Sequence, residues 1–520
     1  MQPGTDSDRA SAQPGIEGVE TRITRKAGSL LRSLPNQSRL SFLILGAAVV
    51  VGGWLRFSGL NAYEMTSDEG CTWAAAAAPT ASGALQLALR LNPGKLGLED
   101  LVLHFWMRAF GDSVASLRAL SAVLGTLAIV LVFAVVKELL MLDCESPGSP
   151  SHEERRAIAA LSALVFALNV IAIRHSREAR MYPLMLDATL GQVWFFSRAA
   201  RLGGAVNYAG AAFLAVAASA ATLVAVPVFI LEGFWLLYRL GRQGWWPVES
   251  GSRHSWGLAF SLTAAGAILA LLIPWRARPP SYNSFFDWFR PMTVANLRWV
   301  FRPAVLSLLF PLTLGLAAWG TYRGGMRARD AITLMRMWLW LPVLFLALWL
   351  KEPAALLLVV GYAWTPIFVH RYVLTCLVPL SALMGIGIWE LRWNSARIAV
   401  LGLLVALALG RARVYRPSQD DLQWGTQWRE AAAVVAPELR KGSPVNVELS
   451  TSVGVMRYYL RGEPGIDAAL LSGDDPRATL VVVSDQARSI MGDAELTEAA
   501  TRDGHAKLVA RLNRVYVLKR

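Results

Sequence analysis

The sequence predicts a polytopic α-helical membrane protein, with about eleven transmembrane helices and a small C-terminal α/β domain. Three observations predict it. Hydrophobic residues make up 54% of the 520 positions, mean hydropathy is +0.40, and charged residues are only 17%, where soluble domains carry about 25%. Apolar runs of roughly 18 residues or more recur up to about position 410. Beyond about 414 the pattern changes to short β-like runs, Val445–Leu449, Leu480–Ser484 and Val515–Leu518, between helical or turn segments.

Residues 1–39, rich in Gly, Pro, Ser and charge, read as a disordered cytoplasmic tail. The first apolar run, about Leu40 to Gly59, is followed by no small-residue cleavage site, so it reads as an uncleaved signal anchor. Arg22, Arg25, Lys26, Arg32 and Arg39 place the tail inside. The segment at about 60–116 is too polar to span and forms a first outer loop. It holds adjacent acids Asp68 and Glu69, an Ala-rich helix at Trp73–Ala78, the turn Asn92-Pro93-Gly94-Lys95, and an amphipathic interfacial helix at Leu101–Phe110. The second span, about Leu117–Leu140, returns to a charged inner loop between Asp143 and Arg156, and the third, about Ala157–Ile173, leads out to Arg174–Tyr182.

The fourth span ends inside at Arg198 and Arg201, and residues 206–238 form two short helices broken near Thr222–Pro227. A seventh, about 256–275, leads to an outer loop from Arg276 to Arg302; an eighth, about 303–322, ends inside at Arg323, Arg327 and Arg329. A ninth runs to Leu350, the stretch 351–370 is a further or re-entrant helix, and spans at about 373–391 and 396–412 complete the set. This count makes 40–413 the membrane catalytic domain and puts 414–520 outside as a soluble domain for support or acceptor contact. That domain contains no Gly-rich phosphate loop, metal motif or nucleophile elbow.

The net charge of +14 does not indicate nucleic acid, because no compact basic domain accompanies it. Cytoplasmic-loop positives and anionic lipid account for it. Cys71, Cys144 and Cys376 are odd in number and far apart, which implies neither a disulfide framework nor a zinc site.

The acidic pair is unusual, since membrane edges favour Lys, Arg, Trp and Tyr. Two readings stay open: first-turn acids of the helix that follows, or half of an active site. The outer loops also break the positive-inside rule, carrying Lys95, Arg118, Arg174, Arg177, Arg180, Arg276, Arg278 and Arg371. Single arginines at helix ends are ordinary anchors, but cations gathered on one outer face suit an anionic ligand, because a guanidinium grips phosphate with two bonds. Tyr182, Tyr282, Trp288 and Tyr372 stand beside them to flank a lipid tail or sugar ring. Glu178 is read as an ion-pair partner of Arg174 or Arg177, and His104, His175 and His370 as interfacial polar residues.

In these residues the chain resembles the GT-C superfamily of membrane glycosyltransferases, most closely the branch of protein O-mannosyltransferases and lipid A aminoarabinose transferases. The resemblance covers roughly 40–390. It rests on Asp68-Glu69 after the first span, Leu103-His104-Phe105-Trp106 with Phe110-Gly111-Asp112-Ser113 and Leu117-Arg118, Ser176 through Pro183, and His370 through Leu374. It implies transfer of a sugar from a polyprenyl-phosphate carrier to a lipid, glycan or protein acceptor on the extracytoplasmic face of the cell membrane. It further implies Asp68 as the catalytic carboxylate with Glu69 beside it, and Lys95 and Arg371 as donor-phosphate ligands; the chemistry and placement of the outer-face residues add Arg180 to the phosphate ligands and Arg177, Tyr182 and Tyr372 as lipid or sugar contacts. Some relatives hold a divalent cation near such carboxylates, so Asp68 and Glu69 are also the candidate metal ligands. Asn92-Pro93-Gly94-Lys95 departs from the Pro-Pro or Lys-Pro of many relatives.

Inverting transfer needs a carboxylate to take the acceptor's proton and cations to stabilise the departing phosphate. A transporter or flippase for lipid-linked sugars explains the spans and arginines too, but it predicts internal repeats, and the sequence shows none. A polymer ligase of the same superfamily depends on a large late outer loop.

Overall fold

The computed structural model describes residues 37–91, 95–144, 148–243, 250–272, 309–339, 374–414, 427–447, 450–463, 466, 470–472, 477–484, 507–512 and 515–519. Residues 1–36 of the expected tail, the outer loop from Arg276 to Arg302, the ambiguous stretch 351–370, and Arg371 and Tyr372 lie outside these residues, while residues 37–39 of the expected tail already belong to the first helix.

The first apolar run is helix α1, Gln37–Phe57. Three shorter helices follow: α2 (Ser67–Ala76), α3 (Ala81–Leu91) and α4 (Leu98–Phe110). The Ala-rich helix starts six residues before its expected Trp73, because Thr66 supplies an N-cap. The membrane bundle continues with α5 (Val114–Leu139), α6 (His152–Ala167), α7 (Val170–His175) and α8 (Tyr182–Leu202). The third span was expected to be continuous. It divides instead, because Leu168 ends α6 and the Asn169 side chain accepts from the Ile171 and Ala172 amides to start α7.

Helices α9 (Ala205–Ala221) and α10 (Val226–Gln243) meet at Thr222, whose hydroxyl caps a single 3-10 turn, Leu223–Ala225. The break falls where the sequence placed it. Helices α11 (Ser250–Leu272), α12 (Leu309–Gly325), α13 (Arg329–Leu339), α14 (Leu377–Trp389) and α15 (Asn394–Val414) complete the described bundle.

Among the described residues, four stretches are long and apolar enough to cross a membrane: Ser38–Phe57, Val114–Leu139, Leu223–Arg242 and Arg253–Leu271. Their outward faces carry bare apolar side chains, with Trp54 58% and Phe260 79% exposed, as lipid-facing positions do. One apolar core runs through the bundle, from Ala48 and Ile129 to Phe196, Trp235 and Leu383.

Past the bundle, α16 (Trp428–Arg440) and α17 (Ser450–Tyr459) accompany β1 (Val445–Val447), β2 (Leu470–Ser472), β3 (Leu480–Ser484), β4 (Lys507–Leu512) and β5 (Val515–Lys519). The sheet order is β2-β1-β3-β5-β4. β1 runs parallel to β2 and β3; β5 runs antiparallel to β3 and β4. Its core is not private. Trp428, Val435, Val455, Met456 and Val482 pack into one apolar cluster with Met65, Ala76, Leu103 and Leu117 of the first-loop region.

Two sets of charged residues stand near helix ends, one at each end of the bundle. At one end Arg327 pairs with Glu154 and Glu390, Arg201 with Glu138, and Arg242 with Asp330. At the other stand Asp68, Glu69, Lys95, Arg118 and Arg180.

Candidate active site

Helix α2 begins with a capping box. Thr66 Oγ1 accepts from the Glu69 amide at 3.2 Å, and Glu69 Oε2 accepts from the Thr66 amide at 2.9 Å. Arg118, on the second turn of α5, donates to both oxygens of the same carboxylate, Nε to Oε1 and Nη2 to Oε2, each at 2.8 Å. The Ala179 amide adds a further bond to Oε1 at 2.9 Å. Arg118 also gathers the Leu60, Tyr63 and Glu64 carbonyls at 2.7–2.9 Å, tying down the loop between α1 and α2. The Glu69 side chain is 1% exposed. The helix-start reading is therefore right for Glu69, whose lone pairs all serve the fold.

Asp68 differs. Its side chain is 19% exposed and takes no part in the cap. It faces Arg180, whose Nη2 lies 3.5 Å from Oδ2 and whose Nη1 donates to the Asp68 carbonyl at 2.9 Å and to Thr72 Oγ1 at 3.1 Å. One guanidinium thus spans the acid and the next turn of its helix.

Lys95 is buried just before α4. Its Nζ sits 3.0 Å from Glu99 Oε2 and 2.9 Å from Asp100 Oδ2, with all three side chains at most 4% exposed. Burial pushes the Glu99 carboxyl above its ordinary range, against the pull of Lys95. Cys71 lies within electrostatic reach of Asp68, Arg180, Lys95 and Asp100, so these groups converge on one region. Burial, followed by the field of Asp68, pushes the Cys71 thiol up to about 12, which leaves it a packing residue and not a nucleophile.

Of the remaining sequence candidates, Arg177 reaches the Gly59 carbonyl at 3.3 Å. Tyr182 is 1% exposed, its ring packed edge-on to His175 at 5.2 Å. Glu178 pairs with Arg174 and with His175, each at 3.2 Å. Burial alone would raise its pKa, but His175 and Arg174 prevail and hold it well below the carboxylate range. His104 is buried, its Nδ1 donating to the Ala76 carbonyl at 2.8 Å. Among the described residues, no three His, Cys, Asp or Glu side chains are placed to hold a metal ion. Glu69 does not fit as a ligand, because both its oxygens already accept from N–H groups.

Sequence reasoning missed the Arg118–Glu69 lock, which joins residues 49 apart. It also passed over Glu99 and Asp100, although a Lys four and five residues before two acids at a helix start is a readable signal.

Fold and composition together define a helix-rich membrane protein, and its fold is shared with solved structures of two other proteins. ArnT from Cupriavidus metallidurans in the apo state superposes with a TM-score of 0.54 at 13% identity, covering 92% of this chain and 97% of that one. Bound to undecaprenyl phosphate it gives 0.52 at 14%. The archaeal oligosaccharyltransferase AglB from Archaeoglobus fulgidus, in complex with an inhibitory peptide and a dolichol-phosphate, gives 0.52 at 10% identity, over 89% of this chain and 71% of that one.

In sequence, the chain is 24% identical over 367 residues to the undecaprenyl phosphate-α-4-amino-4-deoxy-L-arabinose arabinosyl transferase of Pseudomonas aeruginosa. The match covers 64% of this chain and 59% of that relative, so the chain spans less than two thirds of the curated protein. The resemblance to the aminoarabinose transferase branch is borne out by these likenesses. No family model matches the chain.

Proposed function

We propose that this chain is an integral-membrane glycosyltransferase that moves a sugar from a polyprenyl-phosphate carrier to a lipid, glycan or protein acceptor. The reaction takes place at the extracytoplasmic face of the cell membrane. The N-terminal tail is cytoplasmic, about eleven helices span the bilayer, and the C-terminal α/β unit lies outside. The observation that carries the reading is the division of labour within the acidic pair: Glu69 is saturated by the fold, while Asp68 stays partly open against Arg180.

In the reaction, an acceptor oxygen attacks the anomeric carbon as its proton passes to the Asp68 carboxylate. The bond between that carbon and the phosphate oxygen breaks, and the polyprenyl phosphate leaves with the electron pair. Arg180 and Arg371 stabilise the charge that develops on it. Lys95 joins them by exchanging one of its carboxylate partners for phosphate, since its ammonium is otherwise spent on Glu99 and Asp100. Glu69 acts by holding α2 in place, and Arg177 and Tyr372 serve as contacts for the lipid or the sugar. A phosphate leaving group needs little acid assistance, so one carboxylate suffices.

The test is purified protein in lipid nanodiscs with radiolabelled polyprenyl-phosphate sugars and a membrane extract as acceptor. Label should move into the extract with the unaltered chain and fall at least about a hundredfold with Asp68→Asn. Equal transfer by Asp68→Asn overturns the assignment.

A further inference from the structure

Helix α17 belongs to the C-terminal unit, yet it is seated on α2, nearly 400 residues earlier in the chain. The contact is backbone on backbone. A Cβ added at Gly454 would lie 2.5 Å from the Gly70 carbonyl oxygen, and one added at Gly70 would run into the Val455 backbone. Neither position has room for a methyl group.

Polar bonds fix the register around this crossing. The Met65 amide donates to Tyr459 Oη at 3.0 Å, Ser67 Oγ meets Ser452 Oγ at 3.2 Å, and the Arg429 amide donates to Glu64 Oε2 at 2.9 Å. Burial pushes the Tyr459 hydroxyl up to about 12, so it stays protonated. Trp73 stacks edge-on against Tyr458 at 5.1 Å.

The geometry around α2 gives this contact a direction. Successive residues turn by about 100° along a helix, so Gly70 stands about 200° from Asp68. Asp68 and Thr72 face Arg180, while the back of the helix rests on Gly454. Anything that thickens the back pushes the front toward Arg180 or tilts it away.

We propose that Gly454 and Tyr459 are positioning residues for the reaction. The C-terminal unit forms the rear wall of the catalytic site and sets the place of the Asp68 carboxylate through the α17–α2 crossing. The proposal rests on the transferase reading above. Its reach is the C-terminal unit, which thereby becomes part of the active site without touching substrate.

The test has two arms on the full-length chain. In a Cys144→Ser background, Ser67→Cys with Ser452→Cys reports docking by crosslinking under mild oxidation. Kinetics with a polyprenyl-phosphate sugar then compare Gly454→Ala, Gly454→Leu and Tyr459→Phe with the unaltered chain. The crosslink should form in the parent and fade in Gly454→Leu. In Gly454→Ala, kcat should drop about tenfold to a hundredfold while donor KM stays within about twofold, as expected when transition-state alignment is lost but ground-state binding is kept. Tyr459→Phe, which removes one hydroxyl and no bulk, should give a smaller drop of the same kind.

Full kcat in Gly454→Leu with the crosslink lost overturns the proposal, as does parallel loss of kcat and donor binding in all three variants. A parent chain that crosslinks but transfers no sugar overturns the transferase reading and leaves the docking standing.

Discussion

The molecule holds two buried acid–base clusters within a few turns of each other, and they are built on opposite principles. Around Glu69 the charges balance: one carboxylate faces one guanidinium, and the Thr66 and Ala179 amides fill the remaining acceptor positions. Around Lys95 they do not, because one ammonium faces two carboxylates, Glu99 and Asp100. A balanced, fully bonded pair is rigid, and breaking it strands a buried charge. An unbalanced triad can give up a partner or take a proton at lower cost. The first cluster is suited to holding a helix still, and the second to exchanging partners when an anion arrives.

The largest way to break this contrast is Arg118→Ala. It strands Glu69 and three loop carbonyls, and should cost about 3–5 kcal/mol, seen as loss of the monodisperse peak in detergent or a large fall in melting temperature. Arg118→Lys should recover little, because an ammonium cannot reproduce the two-pronged grip.

Asp68→Asn should show the converse: a large loss of transfer with a fall in stability well short of that in Arg118→Ala, because the amide keeps the shape of the side chain beside Arg180. A melting temperature that falls as far as in Arg118→Ala would erase the distinction between the two acids.

The pH dependence sharpens the comparison with two further carboxylates. Glu178 is held below its ordinary value of 4.5 by His175 and Arg174. Its contribution is therefore present above that value and is lost as pH falls below it. Glu178→Gln should destabilise at neutral pH by about 3 kcal/mol, and the gap to the parent should close in melts recorded at progressively lower pH.

Glu99 has the opposite sign. Burial raises its folded pKa above 4.5, so its contribution is present below that value and is lost as pH rises toward the folded value. Glu99→Gln should gain on the parent as pH increases across that window, the smallest effect of the four. A gap that widens in the other direction would show that Lys95 dominates burial.

Much of the fold was legible because membranes impose simple rules. Leu117–Leu140 was expected and Val114–Leu139 is seen, and the break at Thr222 was visible from its Thr, Pro and small-residue neighbours. Local capping chemistry was the weak point, as at Thr66, which starts α2 early, and at Asn169, which interrupts the third span. Strands β2 and β4 were missed; β2 is three residues long and β4 carries a register shift at Leu508/Ala510, so neither shows a clean period of two.

At the site, the identity of the acids could be read but their roles could not. Which of Asp68 and Glu69 serves the fold depends on Arg118, 49 residues away. No local pattern announces that Gly70 and Gly454 touch, since a lone glycine in a helix usually signals only lost propensity.

That contact also has a history within each molecule's lifetime. Ser67 and Ser452 are separated by 385 positions. At roughly 5–20 residues per second, a ribosome takes on the order of twenty to eighty seconds to travel from one to the other. During that interval α2 has been made and the helix that covers its rear face has not. On the proposal above, the Asp68 carboxylate takes up its working position only after α17 has been made and has docked on α2.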